Sequence, residues 1–295
     1  MHRLVIPALS VVSFGIGGTL GTFCERKKLH YGVFSMVQAK TNQHDTVDGP
    51  GSRMSEIMRF GYPGFENIKA KDDYVLSYNR RLRIANWVCE HLTASTGTVY
   101  NEDVDRRRCD FVVDPSVHPL FSTTNEDYWG SGYDRGHLAA AANHRSSQNS
   151  MCATFFLSNM SPQIGSGFNH DAWEHLEKYC RHLVRSYKNV YVVTGPLFLP
   201  KIEADNQLYV KYKLIGKNRI AVPTHYFKVI LGETTDNQLE MQSYILPNQP
   251  INDKTPMHMF QVPVDTIEKA SGLILFDKVP RNAIKQIRPV LTPNS

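Results

Sequence analysis

The chain has 295 residues, of which 41% are hydrophobic and 21% charged. This composition is typical of a soluble globular protein, in one large domain or two small ones, and excludes a largely disordered chain. The formal net charge of +5 is a mild basic bias. It is compatible with a polyanionic partner but does not by itself indicate one.

The cysteines give no sign of a structural framework. Their number is odd, and none of them stands in a CxxC spacing. The pattern predicts neither a disulfide framework nor a zinc ribbon, so we expect buried free thiols. The five positions are Cys24, Cys89, Cys109, Cys152 and Cys180.

The N-terminal segment is predicted to be separate from the folded domain. After Arg3 come about twenty mostly apolar residues, and no acidic residue precedes Glu25. A secretory signal, a membrane anchor and a mitochondrial targeting segment all fit, and the residues alone leave the three open. The polar stretch that follows is interpreted as a linker. We therefore predict a targeting or anchor segment with linker over 1–53 and a folded domain over 54–295.

Several strands are predicted in chain order. Two apolar runs within 73–92 flank Asn79-Arg80-Arg81 and predict a hairpin. The run Val190 to Thr194 predicts a buried strand that is stopped by Gly195-Pro196. Further strands are predicted in "LYVKYKLIG", "THYFKVIL" and "LEMQSYILPN", which cover 208–216, 224–231 and 239–248.

One helix stands out over 169–187, where apolar residues recur at helical spacing. Asn169 or Asp171 is placed to cap its start. Glu177 borders the apolar stripe, where a carboxylate needs a partner, and Arg181 at i+4 is the simplest one. Together these elements predict an α+β fold with a central, mostly antiparallel β-sheet flanked by helices.

The stretch "SGYDRGHLAAAANH" places strongly polar side chains around Gly136. Hydrolysis of a phosphodiester needs a base for the attacking water and positive charge for the phosphate oxygens. His137 offers a neutral imidazole near pH 7, and Arg135 offers a fixed fork of donors. Both project to one side of an extended segment, and Gly136 allows the backbone to approach a ligand closely. A purely structural role for His137 stays open on these residues alone.

Amide and carboxylate oxygens follow in "FLSNMSPQIGSGFNHDAWEHLEKY". Such oxygens suit Mg²⁺, which keeps most of its waters and needs few protein ligands. Asn169 and Glu177, two helical turns apart, are predicted to face one hydrated ion. Zinc is disfavoured, because His170 and His175 do not have the spacing of an H-E-x-x-H helix and no cysteine pair accompanies them.

Longer motifs resemble a known family. "SGYDRGHLAAAANH", "TFFLSNMSPQ", "NHDAWEHLEKYCR" and "NVYVVTGPLFLP" occur in this order. They are similar to the DNA/RNA non-specific endonucleases of the beta-beta-alpha-metal class, and the resemblance runs from about Phe60 to Phe276. It implies a beta-beta-alpha-metal active-site motif. It also implies Mg²⁺-dependent cleavage of DNA and RNA to 5′-phosphate products, with Mn²⁺ as a substitute for Mg²⁺.

The resemblance implies a role for each matching residue. His137 matches the general base, and Arg135 matches the neighbouring arginine of the Arg-Gly-His core. Asn169 matches the direct protein ligand of the Mg²⁺. Glu177 matches the acid that holds the water shell of the metal. Asn159 matches an asparagine that positions His137 or the phosphate.

Further residues are expected at the margin of the site. An arginine among Arg106, Arg107 and Arg108 is expected to bind a substrate phosphate, although the run does not show which one. Asp134 and Glu268 are expected to be supporting acids.

The resemblance also implies a cellular setting. It places the protein in the mitochondrial intermembrane space or inner membrane, with movement to the nucleus during cell death. It implies a homodimer, while the apolar N-terminal segment suggests membrane contact. Two other hypotheses stay open: a relative that trims nucleic acids from 5′ ends, and a catalytically idle nucleic-acid-binding protein on this fold. The presence of His137, Asn169 and Glu177 favours an active enzyme.

Overall fold

A computed structural model describes residues 52–97 and 101–287 of the chain. The predicted N-terminal segment, 1–53, therefore lies almost wholly outside the described residues, and its boundary with the folded domain stays a prediction. Within the described ranges, no helix combines the length and the apolar character needed to cross a bilayer.

The described chain contains strands in its first, middle and last thirds. They are β1 (Ile68–Ala70), β2 (Tyr74–Asn79), β3 (Ile84–Leu92), β4 (Asp134–His137), β5 (Met160–Gln163), β6 (Asn189–Leu197), β7 (Lys201–Ile202), β8 (Leu208–Tyr209), β9 (Leu214–Ile215), β10 (Ile220–Ala221), β11 (His225–Glu233), β12 (Leu239–Pro247) and β13 (Ile284–Gln286). The α-helices are α1 (Arg53–Ile57), α2 (Ala94–Gly97), α3 (Gln148–Ala153), α4 (Trp173–Leu183) and α5 (Val264–Ser271).

Seven of the described strands form one sheet in the order β1-β2-β3-β6-β11-β12-β13. Its neighbouring strands are antiparallel except β12 and β13, which run parallel. The predicted hairpin is confirmed as β2 and β3, and the strands predicted over 224–231 and 239–248 are confirmed as β11 and β12. The predicted α+β class with a mostly antiparallel central sheet is therefore confirmed.

The predicted end of β6 is wrong. The strand does not stop at Gly195-Pro196 but continues to Leu197. Its pairing with β3 ends at Thr194, whereas its pairing with β11 continues to Leu197. A proline is tolerated where a strand has a free edge, because its missing N–H is not needed there.

The strand predicted over 208–216 is also wrong. The segment breaks into β8 and β9, each two residues long and each in a two-stranded ladder outside the main sheet. Leu208 and Leu214 are exposed there. The apolar alternation of this segment therefore does not mark burial against a core.

The main sheet carries an apolar core on each of its faces. Along β6, Val190 and Val192 belong to one core and Tyr191 and Val193 to the other, as expected for side chains that alternate across a strand. The first core includes residues of α4, and the second includes residues of α1 and α5. The candidate site described below lies on the α4 side.

The predicted helix begins later than expected. A segment with π-helical hydrogen bonding, Gly165–Ala172, precedes α4. It is interrupted at Gly167, whose backbone is left-handed (φ +81°). Neither Asn169 nor Asp171 caps α4, which has no side-chain cap. Asp171 Oδ2 instead accepts from the backbone N–H of Gly167 at 2.6 Å. The cap prediction fails because both residues lie inside this extra segment.

The expectation of free thiols is wrong for two cysteines. Cys109 and Cys152 form a disulfide across 43 residues of sequence. Cys109 follows the 3-10 turn Arg106–Arg108 and Cys152 lies in α3, so the pair depends on a tertiary approach that spacing does not reveal. Cys89 and Cys180 are buried free thiols, as predicted. Cys24 lies outside the described residues.

Candidate active site

A two-stranded ribbon carries the Asp-Arg-Gly-His sequence. β4 pairs antiparallel with β5, with Asp134 opposite Gln163 and His137 opposite Met160. The segment Gly165–Ala172 and then α4 follow directly after β5. The order is therefore two strands and a helix, as the family resemblance implies.

β4 and α4 form two sides of a cleft of about 260 Å³. Five residues of the predicted site lie on its wall: Arg106, Arg135, His137, Asn169 and Glu177. The other lining residues are Ala141, Ala142, His170, Glu174 and Arg181. Residues that are up to 75 positions apart in sequence are thus brought to one place.

The His137 imidazole is buried between two phenylalanines. Its ring lies edge-on to Phe155 at 4.7 Å between centroids and at 5.8 Å from Phe111. Burial, together with the positive charge of Arg106 and the influence of His144, lowers the pKa of His137 to about 3. Its Nε2 is buried and has no hydrogen-bond partner among the described residues. The imidazole is therefore neutral at physiological pH and keeps a free nitrogen.

Arg135 is held rigidly at the rim of the same cleft. Its Nη1 donates to Asn125 Oδ1 at 2.7 Å, and its guanidinium lies 4.1 Å from the centre of the Phe111 ring. Both contacts fix the side chain while several N–H donors remain for a ligand. Arg135 and His137 both line the cleft, as expected for alternate residues of an extended segment.

Gly136 packs against a neighbouring side chain. Its φ is not positive, and a side chain at this position would collide with Gln163, the neighbour on β5. This packing already requires glycine here, and the approach of its backbone to a ligand stays a prediction.

Asn169 lies on the cleft wall and pairs with Asp134, which does not line the cleft. Asn169 Nδ2 donates to Asp134 Oδ2 at 3.0 Å, and His170 Nε2 lies 2.9 Å from the same oxygen. Since the amide nitrogen is engaged, the carbonyl oxygen of Asn169 remains as its available polar atom. Asp134 thus orients the Asn169 amide, which agrees with the prediction that Asp134 is a supporting acid.

Glu177 projects from α4 into the cleft without a hydrogen bond or ion pair to any described residue. The expected pairing with Arg181 is therefore wrong, because Arg181 Nη1 donates to Asn143 instead. Desolvation raises the pKa of Glu177 to about 7, although the positive charges of Lys228 and Arg181 act in the opposite direction. A cation in the cleft would stabilise its charged form.

Asn159 is fully buried and does not line the cleft. Its Oδ1 accepts from Ala139 N at 2.9 Å, and its Nδ2 donates to Ala139 O at 3.0 Å and Thr154 O at 2.8 Å. Its backbone oxygen also accepts from the N–H of Leu138. The amide is fully used by the backbone that follows His137, so Asn159 is not placed to contact a phosphate.

The three consecutive arginines have different surroundings in the structure. Arg106 lines the cleft with its guanidinium 5.6 Å from the centre of the Phe155 ring. Arg107 is exposed and ion-pairs with Asp105 at 3.0 Å. Arg108 donates to the backbone oxygen of Asp103. Arg106 is therefore the member of this run at the site.

Glu268 is not brought to the site. It lies on α5, and its carboxylate accepts from the N–H of Leu275 at 2.8 Å and pairs with Arg281. α5 packs on the face of the sheet opposite α4. The expectation of a supporting acid at the cleft is corrected: Glu268 fixes the turn after α5.

Sequence reasoning missed Arg181, Phe111 and Phe155 as parts of the site. Arg181 was interpreted only as a partner for Glu177, although its position one turn later on the same helix could have placed it in the cleft. The two phenylalanines carry no chemical signature, because their role depends on packing against His137.

The donor set of the cleft fits a hard divalent cation. Among the described residues, no group of three His, Cys, Asp or Glu side chains converges in a metal-binding arrangement. The Asn169 carbonyl oxygen and the Glu177 carboxylate instead offer oxygen donors that have no hydrogen-bond partner within 52–97 and 101–287. Two oxygen donors and space for water suit Mg²⁺, which retains several waters when bound to protein.

A neutral imidazole, arginines suited to phosphate and hard oxygen donors meet in this cleft, and that combination suits a metal-assisted phosphodiester hydrolase. Comparison with known sequences shows the family to which the chain belongs. The family model of the DNA/RNA non-specific endonucleases matches residues 53–282. The chain belongs to this family.

Individual relatives agree with this assignment. The chain is 50% identical to mitochondrial endonuclease G of Caenorhabditis elegans over 239 residues, which is 81% of this chain and 77% of the relative. It is 51% identical to mitochondrial endonuclease G of Homo sapiens over 224 residues, 76% of this chain and 74% of the relative. A chain of the solved EndoG/EndoGI complex superposes with a TM-score of 0.78 at 51% identity and covers 80% of this chain and 96% of its own length. The predicted resemblance to the DNA/RNA non-specific endonucleases is therefore confirmed, and within this family the chain is similar to endonuclease G.

Proposed function

We propose that the protein is a Mg²⁺-dependent, sugar-non-specific endonuclease in which His137 is the general base. The observation that carries the proposal is the free, buried Nε2 of His137 in a cleft with Arg106, Arg135, Asn169 and Glu177. A structural histidine in such a place would use its ring nitrogens in hydrogen bonds, because unpaired buried polar atoms are costly.

The chemistry follows from the side chains. His137 Nε2 orients a water and accepts its proton as the water oxygen bonds to phosphorus. The bond from phosphorus to the 3′ oxygen breaks, and this oxygen takes a proton from solvent. The products carry a 5′ phosphate and a 3′ hydroxyl. Because burial keeps His137 neutral, the base is ready over the whole physiological pH range.

Arg135 and Arg106 bind the phosphate oxygens. Their guanidinium groups are steadied by Phe111 and Phe155, so little side-chain entropy is lost when substrate binds. Magnesium, held by the Asn169 oxygen with Glu177 ordering its waters, would supply positive charge that stabilises the 3′ leaving oxygen. Mn²⁺ prefers similar oxygen donors and is proposed as a substitute.

Both DNA and RNA are proposed as substrates. The charged residues on the wall of the cleft suit the phosphate backbone, which carries no sequence information, so little sequence preference is expected. We also extend to this chain the mitochondrial location that the names of its relatives carry. The homodimer and the movement to the nucleus during cell death, where the enzyme would degrade DNA, stay predictions from the family resemblance. Membrane contact stays a prediction from the apolar N-terminal segment.

The test uses the full chain with closed circular plasmid and, separately, single-stranded RNA. Each substrate is incubated with Mg²⁺, Mn²⁺ or EDTA, and the product ends are determined. The proposal predicts metal-dependent cutting of both substrates with 5′-phosphate ends. A protein that degrades only linear DNA would be a 5′ exonuclease, and a folded protein that binds but cuts neither substrate would be an idle binding protein. Either result would overturn the proposal.

A further inference from the structure

A buried polar network lies behind the cleft and is not used by the chemistry above. It starts at Arg181, whose Nη1 donates to Asn143 Oδ1 at 3.0 Å. Asn143 Nδ2 donates in turn to Glu90 Oε1 at 2.9 Å. Arg181 lines the cleft, whereas Asn143 and Glu90 are buried, with exposed fractions of 4% and 1%.

Glu90 is held firmly in this network. It lies on β3, near the centre of the main sheet, and its Oε1 also receives His144 Nε2 at 3.0 Å. Both bonds go to Oε1, while Oε2 is buried without a hydrogen-bond partner among the described residues, so the position of Glu90 depends on its contacts with Asn143 and His144. Asn143 and His144 directly follow Ala141 and Ala142, which form part of the cleft wall.

The direction of the Asn143 amide is the important point. An amide has a donor end and an acceptor end, and it can present either one to a neighbour. The buried Glu90 carboxylate can only accept when ionised, so it captures the donor end. The acceptor end is then turned to Arg181, whose guanidinium can only donate.

We propose that Glu90 is a positioning residue for phosphodiester cleavage, because it fixes the Asn143 amide that in turn holds the Arg181 guanidinium in the cleft. The inference rests on the proposed function of the cleft and adds a residue on the central sheet to it. Without Glu90 the Asn143 NH₂ group loses its acceptor, and the Asn143 side chain is held by its contact with Arg181 alone.

The arrangement matters for a phosphate ligand. Arginine is long and flexible, and ordering it during binding costs conformational entropy. An arginine that is already oriented loses less conformational entropy when it binds a phosphate oxygen. Arg181 is thus kept ready on α4, across from Arg135 on β4.

A double-mutant cycle tests the proposal in the full chain. Plasmid cleavage with Mg²⁺ is measured for wild type, Asn143→Ala, Arg181→Ala and the double variant. Binding of a single-stranded oligonucleotide in EDTA is measured in parallel. We expect Asn143→Ala to lower kcat/KM about tenfold in the wild-type background and less than about twofold in the Arg181→Ala background. Binding without metal should follow the same pattern.

A second variant tests the acceptor itself. Glu90→Gln keeps a carbonyl oxygen for the Asn143 NH₂ group, so it should retain most activity, whereas Glu90→Leu should resemble Asn143→Ala. If Asn143→Ala does not fold, Asn143→Ser is used in the same cycle. Its hydroxyl satisfies one buried partner but is too short to bridge both.

Asn189→Ala is the matched control. The Asn189 amide also bridges two polar side chains: its Oδ1 lies 2.8 Å from His91 Nε2 and its Nδ2 donates to Glu233 Oε2 at 2.6 Å. It has no contact with Arg181, so its effect should be equal in both backgrounds. Equal fold-losses from Asn143→Ala in both backgrounds, or an Arg181→Ala protein with wild-type activity, would overturn the positioning role. Absence of cleavage by wild type would instead overturn the proposed function itself.

Discussion

Asp134 Oδ2 accepts a hydrogen bond from Asn169 Nδ2 at 3.0 Å, and this contact determines which end of the Asn169 amide is available at the cleft. The carbonyl end is the one that can bind a cation. The acid of the Asp-Arg-Gly-His sequence thus contributes to the proposed metal position without lying on the cleft wall itself.

This contact predicts the effect of Asp134→Ala. The Asn169 amide loses the partner that orients it, so the Mg²⁺ concentration for half-maximal cleavage should rise about 10- to 100-fold. A titration of plasmid cleavage with Mg²⁺ measures it. Asp265→Ala serves as the control, because Asp265 is an exposed acid on α5 that pairs with Lys269. An unchanged Mg²⁺ requirement in Asp134→Ala would show that the contact does not matter.

Glu177 predicts the pH dependence of metal use. Its pKa is raised to about 7 by desolvation, so below this pH the carboxyl carries a proton when no metal is bound. Mg²⁺ must displace that proton, and its apparent affinity should fall about tenfold per pH unit below pH 7. The Mg²⁺ requirement is measured at pH 6, 7 and 8. Glu177→Gln should bind Mg²⁺ weakly at every pH, and a wild-type requirement that does not change with pH would contradict the role given to Glu177.

The three neighbouring arginines provide a matched set. Of the three, only Arg106 lines the cleft, while the exposed Arg107 ion-pairs with Asp105. Arg106→Ala should weaken binding of a single-stranded oligonucleotide and reduce the slope of log K against log salt by about 0.7, which is the value of one phosphate contact. Arg107→Ala should leave this slope unchanged. Equal slopes in the two variants would show that Arg106 does not bind phosphate.

The disulfide predicts a contribution to stability. Cys109 and Cys152 close a loop of 43 residues, and loss of such a link typically lowers the free energy of unfolding by about 2–4 kcal/mol. Denaturant unfolding of the full chain with and without reductant measures this change. Cys152→Ser should unfold like the reduced wild type and should not respond to reductant. Identical unfolding curves for oxidised and reduced wild type would contradict the prediction.

The sequence predicts the part of the fold that depends on local periodicity. β-Branched and aromatic residues bounded by turn residues make up β2, β3, β11 and β12. This local pattern is sufficient to predict that these segments are strands. The segment 208–216 has similar residues but no sheet on which to pack, and a pattern contains no information about that. The predicted helix is real, but its start depends on the break at Gly167.

The site residues also divide into those that local sequence patterns predict and those that depend on tertiary contacts. The sequence suffices to name Arg135, His137, Asn169 and Glu177. Two of them are alternate residues of a strand and two lie on one helical stretch, so each pair is expected to share a direction. The choice of Arg106 over Arg107 and the link from Glu90 to Arg181 could not be predicted. Both arise from contacts between segments that are far apart in the sequence.

The most direct test of the central claim is the rate at which His137→Ala nicks supercoiled plasmid in Mg²⁺, compared with wild type. If His137 is the general base, the variant should lose at least about 100-fold in rate, the usual contribution of such a base, and should still bind the oligonucleotide in EDTA. A His137→Ala protein that nicks the plasmid at the wild-type rate would contradict the assignment of His137 as the base.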